Sequence, residues 1–207
     1  MLLCVLMHFC LKDSEGRKKL DFSVYVSRIR HDIANTFEYL PFSLISGGII
    51  IIMMIVILRL FSKDKNINIF KIFCNYMTVT YLIMVICITL LSRESGSRTG
   101  IDLGLFDTWG NRTLPDRYFV ENIILFIPYG TLMPASIKAF RRGTKCIISA
   151  FLFSACLELT QLIAGRGFCQ LDDVITNGFG SCIGYIFLKL LIWLSAVMKV
   201  KKESINS

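Results

Sequence analysis

Four polar side chains within apolar stretches are the residues of this sequence best placed to do chemistry. Glu158 and Gln161 are three residues apart, and Asp173 and Asn177 are four apart, so each pair projects from one side of a helix. The short connection 165–173 must bring the two pairs together. Because a charged or strongly polar group at membrane depth is costly unless it has a partner, each of the four is a functional hypothesis by default.

Further polar groups are expected at the same end of the molecule, because successive membrane spans alternate in direction. Glu121 and Asn122 begin an apolar segment there, and arginines occur in the connections on that side. We therefore take as candidate ligand-binding residues Arg93, Arg98, Asn122, Glu158, Gln161, Arg166, Asp172, Asp173 and Asn177. The alternative is a set of structural pairs, in which Arg166 or Arg93 neutralises an acid. For the set as a whole, a functional site is favoured.

Glu158 and Asp173 are also the candidates for catalytic residues. Two carboxylates in unlike environments can hold opposite protonation states, as acid–base catalysis requires. Arg166 is the nearest cation in sequence to either acid, so we expect the three side chains to form one electrostatic unit. A covalent triad has little support, because the two histidines, His8 and His31, both lie in the N-terminal segment. The eight cysteines show no CxxC pair, and we expect no metal site and no cofactor.

The elements that position these residues are predicted to be transmembrane helices. The chain is 54% hydrophobic with a mean hydropathy of +0.61. It therefore carries more apolar side chains than one small soluble core can bury. The net charge of +8 raises the question of nucleic-acid binding, but the basic residues form short clusters between apolar runs, so we expect none. We predict an all-α, polytopic bundle in the lipid bilayer, with about five transmembrane helices. The expected spans are 40–61, 69–91, 120–138, 146–164 and 174–198.

The ends of the chain and the third span need separate treatment. Residues 1–39 are expected to form an interfacial or amphipathic segment, in which the apolar stretch 1–11 is either a shallow interfacial helix or the remainder of a span. Residues 199–207 form a basic tail. The third span contains Pro128 and Pro134 and is expected to be kinked and packed inside the bundle. Gly180 and Gly184 form a GxxxG pattern, which predicts tight packing of the fifth span against the third or fourth.

Lysine and arginine in the short connections indicate orientation. Basic residues follow the first, third and fifth spans, at Lys63 with Lys65, at Arg141-Arg142 with Lys145, and in the tail after 198. All three regions fall on one side, which we place in the cytoplasm. The six basic residues of the N-terminal segment argue the other way if that segment flanks the first span. The chain is thus expected to be a multi-pass cell-membrane protein with connection 165–173 outside.

Three stretches in the C-terminal half resemble the VanZ-like family: ENIILFIPYGTLMP from Glu121, SACLELTQ from Ser154 and GRGFCQLDDVITNGFG from Gly165. With the Arg93–Arg98 element, the resemblance covers roughly the last 120 residues, and several unrelated polar positions match in order and spacing. Besides the candidate residues above, Pro128, Gly130, Gly180 and Gly184 match. Relatives commonly carry an acid at the position of Gln170, and its absence puts divalent-cation capture in doubt.

The resemblance implies a small membrane protein of mainly Gram-positive bacteria, in a family whose namesake is linked to raised resistance to teicoplanin-type glycopeptides. We therefore expect this chain to contribute to low-level resistance to teicoplanin-type (lipo)glycopeptide antibiotics. Our leading hypothesis is that it binds the drug, or a lipid-linked cell-wall precursor, at the outer face, and that it is not an enzyme. The alternative is a membrane-embedded enzyme that modifies an envelope lipid or glycan. A small transporter is a third hypothesis, since intramembrane carboxylates often relay protons, although five spans show no internal duplication. Homo-oligomerisation would strengthen it.

Overall fold

The computed structural model describes residues 22–61, 68–91, 98–102 and 117–205, nearly all of them helical. The elements are α1 (Phe22–Thr36), α2 (Leu40–Phe61), α3 (Ile69–Leu91), β1 (Arg98–Asp102), α4 (Arg117–Ser136), α5 (Gly143–Ile163), β2 (Arg166–Gln170) and α6 (Leu171–Ile205). The fold is an all-α membrane bundle, as the sequence predicts. In the described residues four runs are long and apolar enough to cross a membrane: Ser23–Leu60, Ile69–Leu91, Gly143–Ile163 and Leu171–Lys199.

The helix bounds follow the charge-free runs of the sequence. α2 and α3 coincide with the expected spans 40–61 and 69–91, whereas α4, α5 and α6 each begin three residues before the expected start. Asn68 caps α3, because its Oδ1 accepts a hydrogen bond from the backbone N–H of Lys71 at 3.1 Å. α4 runs continuously through Pro128 and Pro134 and is not among the four apolar runs.

The first and last helices of the described residues extend farther than the sequence predicts. α1 leads through a 3-10 turn, Phe37–Tyr39, directly into α2, so residues 22–39 extend the first helix rather than form a separate segment. The apolar stretch 1–11 lies outside the described residues. α6 continues to Ile205, so most of the basic tail belongs to this helix.

The most extensive contact between described helices joins α4 and α6, as the GxxxG pattern predicts. A Cβ added at Gly180 would collide with the carbonyl oxygen of Ile123, and one added at Gly184 would collide with that of Ile127. At Gly130 an added Cβ would lie 2.6 Å from the backbone nitrogen of Tyr185. Glycines on both helices therefore bring the two backbones together, which is how small residues favour packing in a membrane.

The hydrophobic core lies between α3, α4 and α5. Val85, Phe126 and Ala150 are fully buried there, and Tyr185 of α6 packs against the cluster. The ring of Tyr129 stacks on that of Phe153 with centroids 5.7 Å apart. Because these contacts fix the rotation of α4 and α5, they also fix which faces of the two helices meet farther along.

A two-stranded parallel sheet, which the sequence analysis did not predict, lies beside the end of α5. β1 pairs with β2 in a register that places Arg98 opposite Arg166 and Asp102 opposite Gln170. The pairing is non-local, since 68 positions separate the paired residues. It carries the chain before α4 to the connection between α5 and α6, where the candidate residues converge.

Candidate functional site

The turn after α5 folds the connection between α5 and α6 back against the end of α5. Gly165 has a φ of 63°, a left-handed conformation that glycine adopts without steric cost. Its N–H donates to the carbonyl of Leu162 at 3.1 Å, which closes the helix end. β2 then runs back toward α5, and the N–H of Gln170 donates to Oε2 of Glu158 at 3.0 Å.

All four polar side chains of the two predicted pairs are buried. Their exposed fractions are 4% for Glu158, 1% for Gln161, 7% for Asp173 and 5% for Asn177. Nδ2 of Asn177 donates to Oγ of Ser154 at 2.8 Å, so α6 and α5 are joined through polar groups. The buried faces are thus the ones that the three- and four-residue spacings indicate, and we call these four residues with Asn122, Ser154 and Ser181 the polar cluster.

Hydrogen bonds from the connection and from α5 reach the end of α3. Nε2 of Gln161 donates to the carbonyl oxygen of Thr89 at 3.0 Å, and Nη1 of Arg166 donates to that of Leu90 at 2.6 Å. Carbonyls in the last turn of a helix lack partners within the helix, so these donors satisfy them. The expected electrostatic unit of Arg166, Glu158 and Asp173 is not formed by direct ion pairs. Among the described residues the guanidinium of Arg166 binds a backbone carbonyl, and no ion pair joins it to either acid.

Two amide atoms of the polar cluster are buried without a hydrogen-bond partner, Nδ2 of Asn122 and Oδ1 of Asn177. Asn122 precedes Tyr129 by seven residues and so shares its face of α4. The hydroxyl of Tyr129 donates to Ser149 of α5, which shows that this face looks toward α5. Asn177 also faces α5. One unpaired donor and one unpaired acceptor are therefore directed toward the same helix.

Other predicted residues are placed less completely. Asp172 is half-buried, and it precedes Asp173 in the first turn of α6, where negative charge is favourable. The backbone of Arg98 lies in β1, opposite Arg166. Arg93 lies outside the described residues. In the portion of the chain that the structure describes, no group of three or more His, Cys, Asp or Glu side chains is arranged to hold a metal ion.

Sequence reasoning missed two hydroxyls of the cluster. Ser154 and Ser181 are fully buried, and Oγ of Ser181 has no hydrogen-bond partner. A serine in an apolar helix is an ambiguous signal, because its hydroxyl can bond a carbonyl of its own helix. The spacing of four between Asn177 and Ser181 could have identified the second one.

The pKa of Cys169 in β2 depends on the electrostatics of the site. Burial raises the pKa of its thiol, and the nearby carboxylate of Glu158 raises that pKa further. Both causes disfavour the thiolate. A reactive nucleophilic cysteine needs the opposite environment, so Cys169 is a poor candidate for catalysis.

Comparisons with known proteins agree with this description. The model of the VanZ/LLP1 family matches residues 49–193, which contain the four buried polar side chains. The chain is similar to Protein VanZ of Enterococcus faecium, with 29% identity over 139 residues, or 64% of this chain and 81% of that protein. No solved structure gives a significant match.

Proposed function

This chain belongs to the VanZ/LLP1 family, and we propose from that membership that it contributes to low-level resistance to teicoplanin-type (lipo)glycopeptide antibiotics. It acts by binding the drug, or a lipid-linked cell-wall precursor, at the outer face of the cell membrane. The lysine- and arginine-rich connections then lie in the cytoplasm and the polar cluster lies toward the outside.

The observation that carries this proposal is the incomplete pairing of the polar cluster. Burying an amide group without a hydrogen bond costs about 1–3 kcal/mol, and Asn122 and Asn177 each leave one such atom unpaired. A ligand that supplies one acceptor and one donor would offset this cost. Peptide groups supply both, and glycopeptides and wall precursors are rich in them.

The setting of the cluster suits an amphipathic ligand. Its polar atoms lie at the end of helices whose outer faces are apolar, as at Ile163, which is 87% exposed. A molecule with a peptide moiety and an acyl chain could place the first against the cluster and the second in the bilayer. This supports binding of lipid-linked molecules over binding of small soluble ones.

Expression in a susceptible Gram-positive host tests the proposal. The wild-type chain should raise the inhibitory concentration of acylated teicoplanin more than that of non-acylated vancomycin. Asn122→Leu should abolish the increase at unchanged membrane abundance, because it removes an unpaired buried amide and should not destabilise the fold. Asn75→Leu is the matched control. Asn75 lies near the start of α3, whereas the polar cluster lies near the end of that helix, so this variant should retain resistance.

Unchanged inhibitory concentrations for both drugs with the wild-type chain at normal abundance would contradict the proposed function. If Asn75→Leu lost resistance as Asn122→Leu does, the polar cluster would have no specific part in the proposed function. Any change from asparagine to leucine would then have the same effect.

A membrane-embedded enzyme is the second candidate, and the burial of two carboxylates in one cluster favours it. Glu158 accepts a backbone N–H, whereas Asp173 lies in the first turn of a helix, so their environments differ as acid–base roles require. Only this function demands a changed product. Lipid and wall-precursor profiles of cells carrying the wild-type chain or Glu158→Gln distinguish the two, because a binding protein leaves both profiles alike.

A further inference from the structure

Five exposed cations gather at the end of the bundle opposite the polar cluster. Lys138, Arg141, Arg142 and Lys145 lie at and before the start of α5, and Lys189 lies on α6; all five are exposed. We call these five residues the basic patch. The function proposed above makes no use of it.

Tyr185 holds the two halves of the basic patch together. Its hydroxyl donates to the carbonyl oxygen of Arg141 at 2.7 Å, and its ring lies against Gly143, where an added Cβ would come within 3.0 Å of it. The ammonium group of Lys189 lies 5.4 Å from the centroid of the same ring. The cation of α6 is therefore fixed beside those that precede α5.

No acidic side chain among the described residues neutralises the basic patch. Within the described portion of the chain, none of the five side chains forms an ion pair. The sequence contains no Asp or Glu from 122 to 157 and none from 174 to 202. Helical neighbours on α5 and α6 therefore offer no acidic partner, and the positive potential of the patch is available to an external anion.

The patch lies at a bilayer boundary. α5 begins at Gly143 and is apolar over 21 residues, about the length that crosses the hydrocarbon layer. The residues directly before it are thus level with lipid headgroups. Lys189 lies at the same level, because it contacts the ring of Tyr185, whose hydroxyl binds the carbonyl of Arg141. Basic clusters in this position attract anionic lipid headgroups.

We propose that the basic patch binds the phosphate headgroup of an anionic glycerophospholipid, with the guanidinium groups of Arg141 and Arg142 and the ammonium groups of Lys145 and Lys189 around the phosphate. Guanidinium groups match phosphate oxygens in a bidentate geometry. The lipid would join the start of α5 to α6, the helix that carries Asp173 and Asn177.

Native mass spectrometry of the full-length chain in detergent tests the proposal, with phosphatidylglycerol and phosphatidylcholine as probes. The first phosphatidylglycerol should bind at least fivefold more tightly than phosphatidylcholine. The triple variant Arg141→Gln, Arg142→Gln, Lys145→Gln should lose this preference, and Lys189→Gln should reduce it. The matched control removes three cations from the end of α6, by Lys199→Gln, Lys201→Gln and Lys202→Gln, and should retain it.

Two results would overturn the proposal. Equal binding of the two lipids by the wild-type chain would show that the patch has no preference for an anionic headgroup, and equal loss in both triple variants would show that net charge alone matters. A third arm adds inorganic phosphate at millimolar concentration. Phosphatidylglycerol should remain bound, whereas its displacement would assign the patch to a free anion. None of these outcomes depends on antibiotic resistance.

Discussion

Nη1 of Arg166 lies 2.6 Å from the carbonyl oxygen of Leu90, and this hydrogen bond joins the start of β2 to the last turn of α3. Gln161 makes a second contact to the same turn, through the carbonyl of Thr89. The connection that covers the polar cluster is therefore attached to α3 as well as to α5.

Arg166→Ala should lower the free energy of unfolding by about 1.5 kcal/mol, the lower end of the range for hydrogen bonds to charged groups, because this bond is only partly buried. Arg166→Lys keeps a cationic donor near the helix C-terminus and should recover some of the loss. Thermal unfolding in detergent measures both. A drop as large for Lys as for Ala would indicate that the planar guanidinium, rather than its charge, makes the contact.

The pH dependence of thiol modification at Cys169 should reflect the charge of Glu158. Because burial and this carboxylate both raise the pKa of the thiol, the thiolate fraction at neutral pH is lower than for an ordinary cysteine. The labelling rate should keep rising with pH beyond the ordinary cysteine range. Glu158→Gln removes the negative charge, so it should lower the pKa and move the rate profile to lower pH.

Stopped-flow labelling across a pH series, in a background without other reactive thiols, gives this profile. An identical profile for the wild-type chain and Glu158→Gln would mean that burial alone raises the pKa. Asp32→Asn, in α1 far along the sequence, serves as the charge-matched control and should leave the profile unchanged.

The bundle was predictable where the hydrophobic pattern is continuous. Ile69–Leu91 has one charge near its start and a capping asparagine before it, so its length and bounds follow from the sequence. The strands were not predictable, because five-residue segments such as Arg98–Asp102 carry a weak local signal and pair with a segment far along the chain. The extension of α2 back to Phe22 was missed because α1 is polar on average and because Pro41 is typical of the first turn of a new helix.

The sequence predicted which helix faces carry the polar side chains, but it did not predict the contacts that these side chains make. Spacings of three and four placed Glu158 with Gln161 and Asp173 with Asn177, and all four are buried. The bond from Arg166 to a backbone carbonyl could not be read from the sequence, because charge pairing considers side chains and overlooks the unpaired carbonyls at a helix end. The direct contact of Arg166 is therefore with a carbonyl and not with the acids that its charge indicated.

Membrane orientation can be tested at two exposed positions on opposite ends of the bundle. Ile101 lies in β1 opposite Cys169 in the register and is 64% exposed, and Thr144 is exposed at the start of α5. A membrane-impermeant thiol reagent applied to intact cells should label Ile101→Cys and spare Thr144→Cys. After the membrane is permeabilised, both should react. The reverse pattern in intact cells would invert the orientation that the basic connections predict.

The contact between α4 and α6 should be intolerant of a single methyl group. Gly184→Ala would place a Cβ against the backbone carbonyl of Ile127, which cannot move without shifting a helix, so we expect a loss of about 1–3 kcal/mol. Gly48→Ala is the matched control, because the nearest atom to its Cβ is Cε2 of Tyr76 at 3.9 Å. Thermal unfolding and the yield of monodisperse protein should separate the two. Equal tolerance would mean that the helices can separate at little cost.

The hydrogen bond from Asn177 to Ser154 allows stability to be separated from binding. Ser154→Ala leaves Nδ2 of Asn177 buried without its acceptor, which should cost about 1–3 kcal/mol. Asn177→Leu should cost less, because the hydroxyl of Ser154 can turn to a carbonyl of its own helix. The double variant removes both polar groups and should be more stable than the sum of the single changes predicts.

If Asn177 contributes its unpaired oxygen to a ligand, the double variant should be stable and yet confer no resistance, while Ser154→Ala should keep resistance in proportion to its membrane abundance. Unfolding temperatures and inhibitory concentrations of teicoplanin, measured on the same four chains, provide the comparison. Full resistance in the double variant would show that Asn177 serves only to join α5 to α6, and the binding site would then have to lie elsewhere in the bundle.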